Sequence, residues 1–131
     1  MKQQLISKVE HIGIMVSDLD RSIAFYRDVL GLELIERLKN NTAEIAFFKV
    51  GDVEIELVAG SSAPYEKTDG IVNHLTFTVT DLDAALQMLK DKGVELINSE
   101  PVPIWGGMRV LFFRGPDGEK LEFFERKAPR A

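Results

Sequence analysis

Apolar residues recur every second position along most of this chain, and in two stretches the interval lengthens to that of a helix. Ile12, Ile14 and Val16 alternate with His11, Gly13 and Met15, and Leu75, Phe77 and Val79 alternate with His74, Thr76 and Thr78. A period of two with one apolar face predicts a half-buried strand. After each strand comes a helical stripe: Leu19, Ile23, Tyr26 and Leu30 in one case, Leu82, Ala85, Leu86 and Leu89 in the other. Ser17-Asp18 and Thr80-Asp81 stand at the helix starts, where their side-chain oxygens can accept the free backbone N–H groups. Gly31 and Gly93 stand where a left-handed C-cap is wanted.

Three more strands are predicted in each half. In the first they are Leu32 to Leu38, Glu44 to Val50 and Val53 to Ala59; in the second, Glu95 to Asn98, Arg109 to Arg114 and Lys120 to Arg126. Gly51-Asp52 and Asp117-Gly118 supply the hairpin turns. The halves are copies of one another. V-x-H-x-x-x-x-V-S-D-L-D from Val9 recurs as V-x-H-x-x-x-x-V-T-D-L-D from Val72, an offset of 63 residues. Gly31-Leu32-Glu33-Leu34-Ile35 recurs as Gly93-Val94-Glu95-Leu96-Ile97, and Ile55-Glu56-Leu57 as Leu121-Glu122-Phe123. Three matched blocks in one order indicate a duplicated module. The expected organisation is one α+β domain over residues 1–131, with βαβββ modules at about 8–60 and 70–127. The linker chemistry of Gly60-Ser61-Ser62-Ala63-Pro64-Tyr65 marks the junction. Lys127 to Ala131 reads as a frayed tail.

Composition narrows the function classes. With 131 residues, 45% hydrophobic and 28% charged, the chain is globular in character and long enough for a core without staples. A net charge of −5 argues against nucleic acid and gives no reason to expect an anionic membrane as partner. The absence of cysteine removes disulfides, thiolate nucleophiles and Cys-ligated metals. The first residues lack the apolar stretch of a signal peptide, and no apolar run reaches membrane-spanning length, so cytoplasm is the default expectation.

Four polar residues break the apolar pattern in a matched way. His11 and His74, the only two histidines, occupy equivalent first-strand positions opposite the helix-facing side. Glu56 and Glu122 occupy equivalent last-strand positions, flanked by Ile55 and Leu57 and by Leu121 and Phe123. All four are expected on the other face of the sheet. Taken singly, each is an ordinary surface residue of a strand. Taken together, two imidazoles and two carboxylates suit a six-coordinate divalent ion with two positions left for water or substrate. Duplication alone would also reproduce the symmetry. Glu54 shares the face of Glu56 but has no repeat partner, while Glu44, Glu95 and Glu119 read as solvated charges. In the segment Pro101 to Arg109, Trp105 is a candidate cover for a pocket, Gly106 and Gly107 candidate hinges, and Arg109 a candidate holder of a substrate anion. A packed indole in a plain connection is the competing reading. One of Phe47 and Phe48, which alternate across a strand, is expected to line the cavity.

These residues resemble the vicinal oxygen chelate superfamily, which includes glyoxalase I, methylmalonyl-CoA epimerase, extradiol dioxygenases and the fosfomycin and bleomycin resistance proteins. The resemblance is carried by His11-Ile12-Gly13-Ile14 with Val16-Ser17-Asp18-Leu19, and by Ser22-Ile23-Ala24-Phe25-Tyr26 with Val29-Leu30-Gly31. It continues through Ile55-Glu56-Leu57, His74-Leu75-Thr76-Phe77 and Gly115-Pro116-Asp117-Gly118 to Leu121-Glu122-Phe123. It implies a cupped, mixed sheet of eight strands around a metal that a small substrate chelates through two neighbouring oxygens. Within the superfamily the pattern is most similar to small bacterial glyoxalase I. That likeness implies a divalent metal (nickel, cobalt, zinc or manganese) on His11, Glu56, His74 and Glu122. It also implies a lyase or isomerase activity on an α-oxo thiol adduct, passing through an enediolate, with Glu122 or Glu56 moving the proton. A homodimer with sites shared between subunits is implied too. Bacterial glyoxalase I commonly has arginine, used for the glutathione carboxylate, at the place of Met15, and asparagine at the place of Gly60; the departure counts against glutathione as the thiol and leaves Met15 as a candidate substrate contact. The other expectations left open are a metal-free, ligand-sequestering binder of the bleomycin-resistance kind and an epimerase.

Overall fold

A computed structural model describes residues 5–39, 41–60 and 69–126. The chain divides into two compact units, Met1–Tyr65 and Glu66–Ala131. The expected linker at 61–65 and tail at 127–131 lie outside the described residues.

The first unit runs β1 (His11–Val16), α1 (Leu19–Ala24), β2 (Glu33–Lys39), β3 (Glu44–Val50) and β4 (Val53–Ala59). Its four strands form one mixed sheet in the order β1-β4-β3-β2. β1 lies parallel to β4, and β3 is antiparallel to both β4 and β2. Asp18 caps α1, its carboxylate accepting from the Arg21 N–H at 3.1 Å. The helix widens into a π turn over Phe25–Val29, where the Leu30 N–H donates to Phe25 O, before Gly31 leaves it at φ 73°. Val16, Leu19, Ile23, Tyr26, Ala46, Phe48, Ile55 and Leu57 are buried and make the core between sheet and helix. They are the apolar half of each alternation, so removing them from water drives the sheet to cover α1 and leaves the other face of the sheet open.

The second unit repeats the plan: β5 (Leu75–Val79), α2 (Leu82–Asp91), β6 (Val102–Pro103), β7 (Arg109–Arg114) and β8 (Lys120–Glu125). The sheet order is β5-β8-β7-β6, with β5 parallel to β8. Asp81 caps α2 by accepting from Ala84 N–H at 3.0 Å, and Gly93 ends the helix region at φ 70°. Leu82, Leu86 and Leu89 pack on Leu111, Phe113, Leu121 and Phe123, with the Phe113 and Phe123 rings 4.5 Å apart. The α+β class and the two four-stranded mixed sheets agree with the expected repeat.

Two expectations need correction. No strand forms over Glu95 to Asn98: Leu96 makes a single bridge to Phe113, and the short β6 lies further on, at Val102–Pro103. Asn98 turns its side-chain oxygen to the Phe112 N–H at 2.9 Å, taking the place of a backbone partner, and Pro101 and Pro103 have no N–H to extend a ladder. Glu119 is not a plain solvated charge. It curls back so that Oε1 accepts the Asp117 N–H at 2.9 Å, and it lies so close to Gly115 that a Cβ there would collide with its carboxylate.

Candidate metal centre

Each unit brings one imidazole and one carboxylate together on the open face of its sheet. In the first, Gly13 pairs directly with Glu56 across β1 and β4, and the Glu56 side chain passes over that residue to His11. His11 Nε2 lies 3.6 Å from Glu56 Oε1. In the second, Thr76 pairs with Glu122 across β5 and β8, and His74 Nε2 lies 3.3 Å from Glu122 Oε1. His74 stands one residue before β5, the counterpart of the first residue of β1. Both separations exceed the ordinary range of a direct N–H···O hydrogen bond, about 2.7–3.2 Å. Two donors each about 2.1 Å from one ion, at octahedral or tetrahedral angles, stand about 3.0–3.4 Å apart.

The other imidazole nitrogen faces a side-chain oxygen of the preceding residue in both units. His11 Nδ1 is 3.3 Å from Glu10 Oε1, and His74 Nδ1 is 2.9 Å from Asn73 Oδ1. With Nδ1 turned to a side-chain oxygen, Nε2 is left on the side of the carboxylate, an orientation common among metal-bound histidines. An aromatic edge completes each pair: Phe47 meets His11 at 6.0 Å between ring centroids, and Phe112 meets His74 at 5.1 Å, both T-shaped. Phe48 points the other way and is fully buried against Tyr26. The donors therefore fit a borderline divalent ion. Each unit offers two of them, and no cluster of three or more His, Asp or Glu stands ready among the described residues.

The pairs differ in their surroundings. The Glu122 side chain is 9% exposed and the Glu56 side chain 20%. Thr76 Oγ1 donates to Glu122 Oε1 at 2.6 Å, whereas Gly13 has no side chain to offer Glu56.

A family model described as the Glyoxalase/Bleomycin resistance protein/Dioxygenase superfamily matches residues 8–123. The chain belongs to this superfamily. Uncharacterized protein YwbC of Bacillus subtilis is 35% identical over 127 residues, covering 93% of this chain and all (100%) of that protein. Lactoylglutathione lyase of Haemophilus influenzae is 32% identical over 131 residues, covering 95% of this chain and 96% of that one. Among solved structures, the fosfomycin resistance protein FosX from Listeria monocytogenes superposes with a TM-score of 0.76 at 25% identity, over 94% of this chain and 96% of that one.

The remaining candidate residues of this superfamily member fall in different places. Met15 lies on the open face of β1, four residues beyond His11 and facing Val58 across the parallel pair. Trp105 is 74% exposed, at the head of a single 3₁₀ turn in which Gly106 and Gly107 both take positive φ. Arg109 is on the helix side with Leu111 and Phe113. Its Nε donates to Glu125 at 3.0 Å and its Nη2 to Asp83 at 3.1 Å. These carboxylates hold the guanidinium above its ordinary pKa. Through these contacts it ties β7 and β8 to α2. The parity of the strand carried that signal, because Arg109 alternates in step with two core residues. Phe112 and Thr76 went unnoticed in the sequence. Phe112 is the repeat counterpart of Phe47, and Thr76 stands two residues after a candidate ligand, on its face.

Proposed function

We propose that this chain is a metal-dependent lyase or isomerase of the lactoylglutathione lyase kind, acting on a small α-oxo thiol adduct. The observation that carries this reading is the repeated His–carboxylate pair with each Nδ1 turned to a side-chain oxygen. His11, Glu56, His74 and Glu122 would hold a divalent cation, which when bound supplies Lewis-acid stabilisation of the negative charge that develops on the substrate oxygens.

The protein residues then have a short task. In a hemithioacetal the thiol-bearing carbon carries one hydrogen and adjoins a carbonyl. A carboxylate removes that hydrogen as a proton and returns it to the adjacent carbon, while the hydroxyl proton of the first carbon passes to the oxygen of the second. The first carbon becomes a thioester carbonyl and the second an alcohol carbon. Electrons and atoms balance with no redox partner. Glu122 suits the proton transfer because Thr76 and His74 both address Oε1, leaving the lone pairs of Oε2. Its low exposure keeps water from competing for the proton.

The test uses protein purified without a histidine tag, stripped and reloaded with nickel, cobalt, zinc or manganese. Metal content is read by elemental analysis, and thioester formation from methylglyoxal with several thiols by absorbance. His74→Ala and Glu122→Gln are expected to lose turnover and retain less metal, with the circular dichroism spectrum unchanged, since neither removes core volume. Protein that takes up none of the four ions sinks the enzyme reading in favour of a metal-free binder. Full turnover and metal content in both variants sinks the site assignment.

A further inference from the structure

Arg126 differs from most of the described arginines. Arg27, Arg37, Arg109 and Arg114 each have an aspartate or glutamate partner. Arg126 has none among the described residues, yet it is partly buried. The central carbon of its guanidinium is 4.6 Å over the Phe124 ring, and Nη1 is 3.5 Å from Met108 Sδ. The ring face offsets some of the charge, and a thioether is a weak acceptor that offsets little. A cation drawn partly out of water with no anion beside it is costly, and an arriving anion relieves that cost.

Its position is as informative as its pairing. Glu122 and Phe124 are alternate residues of β8 and share its open face, and the Arg126 guanidinium rests on Phe124. Phe124 stands two residues of strand, about 7 Å, from Glu122, and the guanidinium lies 4.6 Å over its ring. The other cation beside the pair, Lys120, sits 4.9 Å over Phe112 and close enough to Asp69 to help lower its carboxyl, so it already has an acidic neighbour. Among the described residues the Arg126 fork has no acidic partner, and a planar fork with several donors matches a carboxylate or phosphate.

We infer that Arg126, on its Phe124 and Met108 seat, is the subsite for an anionic group of the substrate, carried a few atoms from the end that reaches His74 and Glu122. The substrate class is therefore an acidic adduct, with a carboxylate or phosphate-type group remote from its chelating oxygens. This rests on the reading of His74 and Glu122 given above.

The probe is succinic acid monohydroxamate, whose two vicinal oxygens serve as the chelating end and whose carboxylate lies about 7 Å away, set against its uncharged amide. Calorimetric titration of metal-loaded wild type is expected to show the acid binding about tenfold tighter than the amide. Arg126→Met should bring the two to within about twofold while leaving the amide unchanged, and Arg126→Lys should keep part of the preference. Equal binding of acid and amide by wild type, or an undiminished preference in Arg126→Met, overturns the subsite. Repeating the titration without metal separates this proposal from the functional reading. Should both probes bind loaded and metal-free protein alike, the metal reading fails, and the acid-over-amide preference of the metal-free protein still decides for or against Arg126.

Discussion

Thr76 and Gly13 hold matched positions, each directly across from a candidate carboxylate ligand, and there the duplication has diverged. Thr76 Oγ1 gives Glu122 Oε1 a 2.6 Å charge-assisted hydrogen bond, short even for an O–H donor. It fixes the oxygen that faces His74 and so settles which oxygen is left for other work. Gly13 does none of this: it has no side chain to donate, and a Cβ there would stand 3.4 Å from Glu56 Oε1, in ordinary contact. Groups that orient a ligand are commonly worth about 10–100-fold in metal affinity. Thr76→Val keeps the shape and deletes the donor, so it should lower zinc or nickel affinity by roughly that factor. Thr76→Ser should restore most of it. A competition titration with a chromophoric chelator makes the comparison, and a valine variant binding as tightly as wild type would refute the orienting role.

Glu125, the last residue of β8, joins three elements. Oε2 accepts the Leu82 N–H at the start of α2, at 2.7 Å, and Oε1 accepts Arg109 Nε from β7. The Arg109 hydrogen bond, then the Leu82 N–H, hold its carboxyl below the usual glutamate range. A carboxyl whose pKa is depressed on folding stabilises the fold above its unfolded pKa and loses that contribution as pH falls through the folded one. Glu125→Gln should therefore cost on the order of 1 kcal/mol at neutral pH, with the gap closing below the ordinary carboxylate range. Urea unfolding at several pH values reads this directly; an equal gap at acid and neutral pH would rule it out. Much of this architecture was legible from local chemistry. Alternation marked β1, β5 and the long strands, and Asp18, Asp81, Gly31 and Gly93 marked helix ends, because caps are satisfied within a few residues of sequence. The same alternation put Glu56 and Glu122 on the face of the histidines. What stayed hidden depends on partners far along the chain. Asn98 diverts a strand through its side chain, and Arg109 finds Glu125 and Asp83 only once β7, β8 and α2 have packed.

At the scale of the whole molecule the donor count drives the argument. Each unit holds one histidine beside one glutamate, and the proposed set of four would need one pair from each kind of unit. The second pair can come from the same chain or from another copy. Resemblance to bacterial glyoxalase I favours the second, a two-fold homodimer with two equivalent sites. His11→Ala and His74→Ala each break every site in their own homodimer, so both should be inactive. Unfolded together in equal amounts and refolded, half of the dimers should be mixed. In a mixed dimer with shared sites, one site collects both damaged pairs and the other collects both intact pairs. Total activity should then recover to about a quarter of wild type, a value set by random pairing under two-fold symmetry. Sites built within single chains give no recovery, because every chain still carries a broken pair. Wild type refolded by the same protocol calibrates the yield, and sedimentation of the wild type shows whether the dimer exists at the concentration assayed.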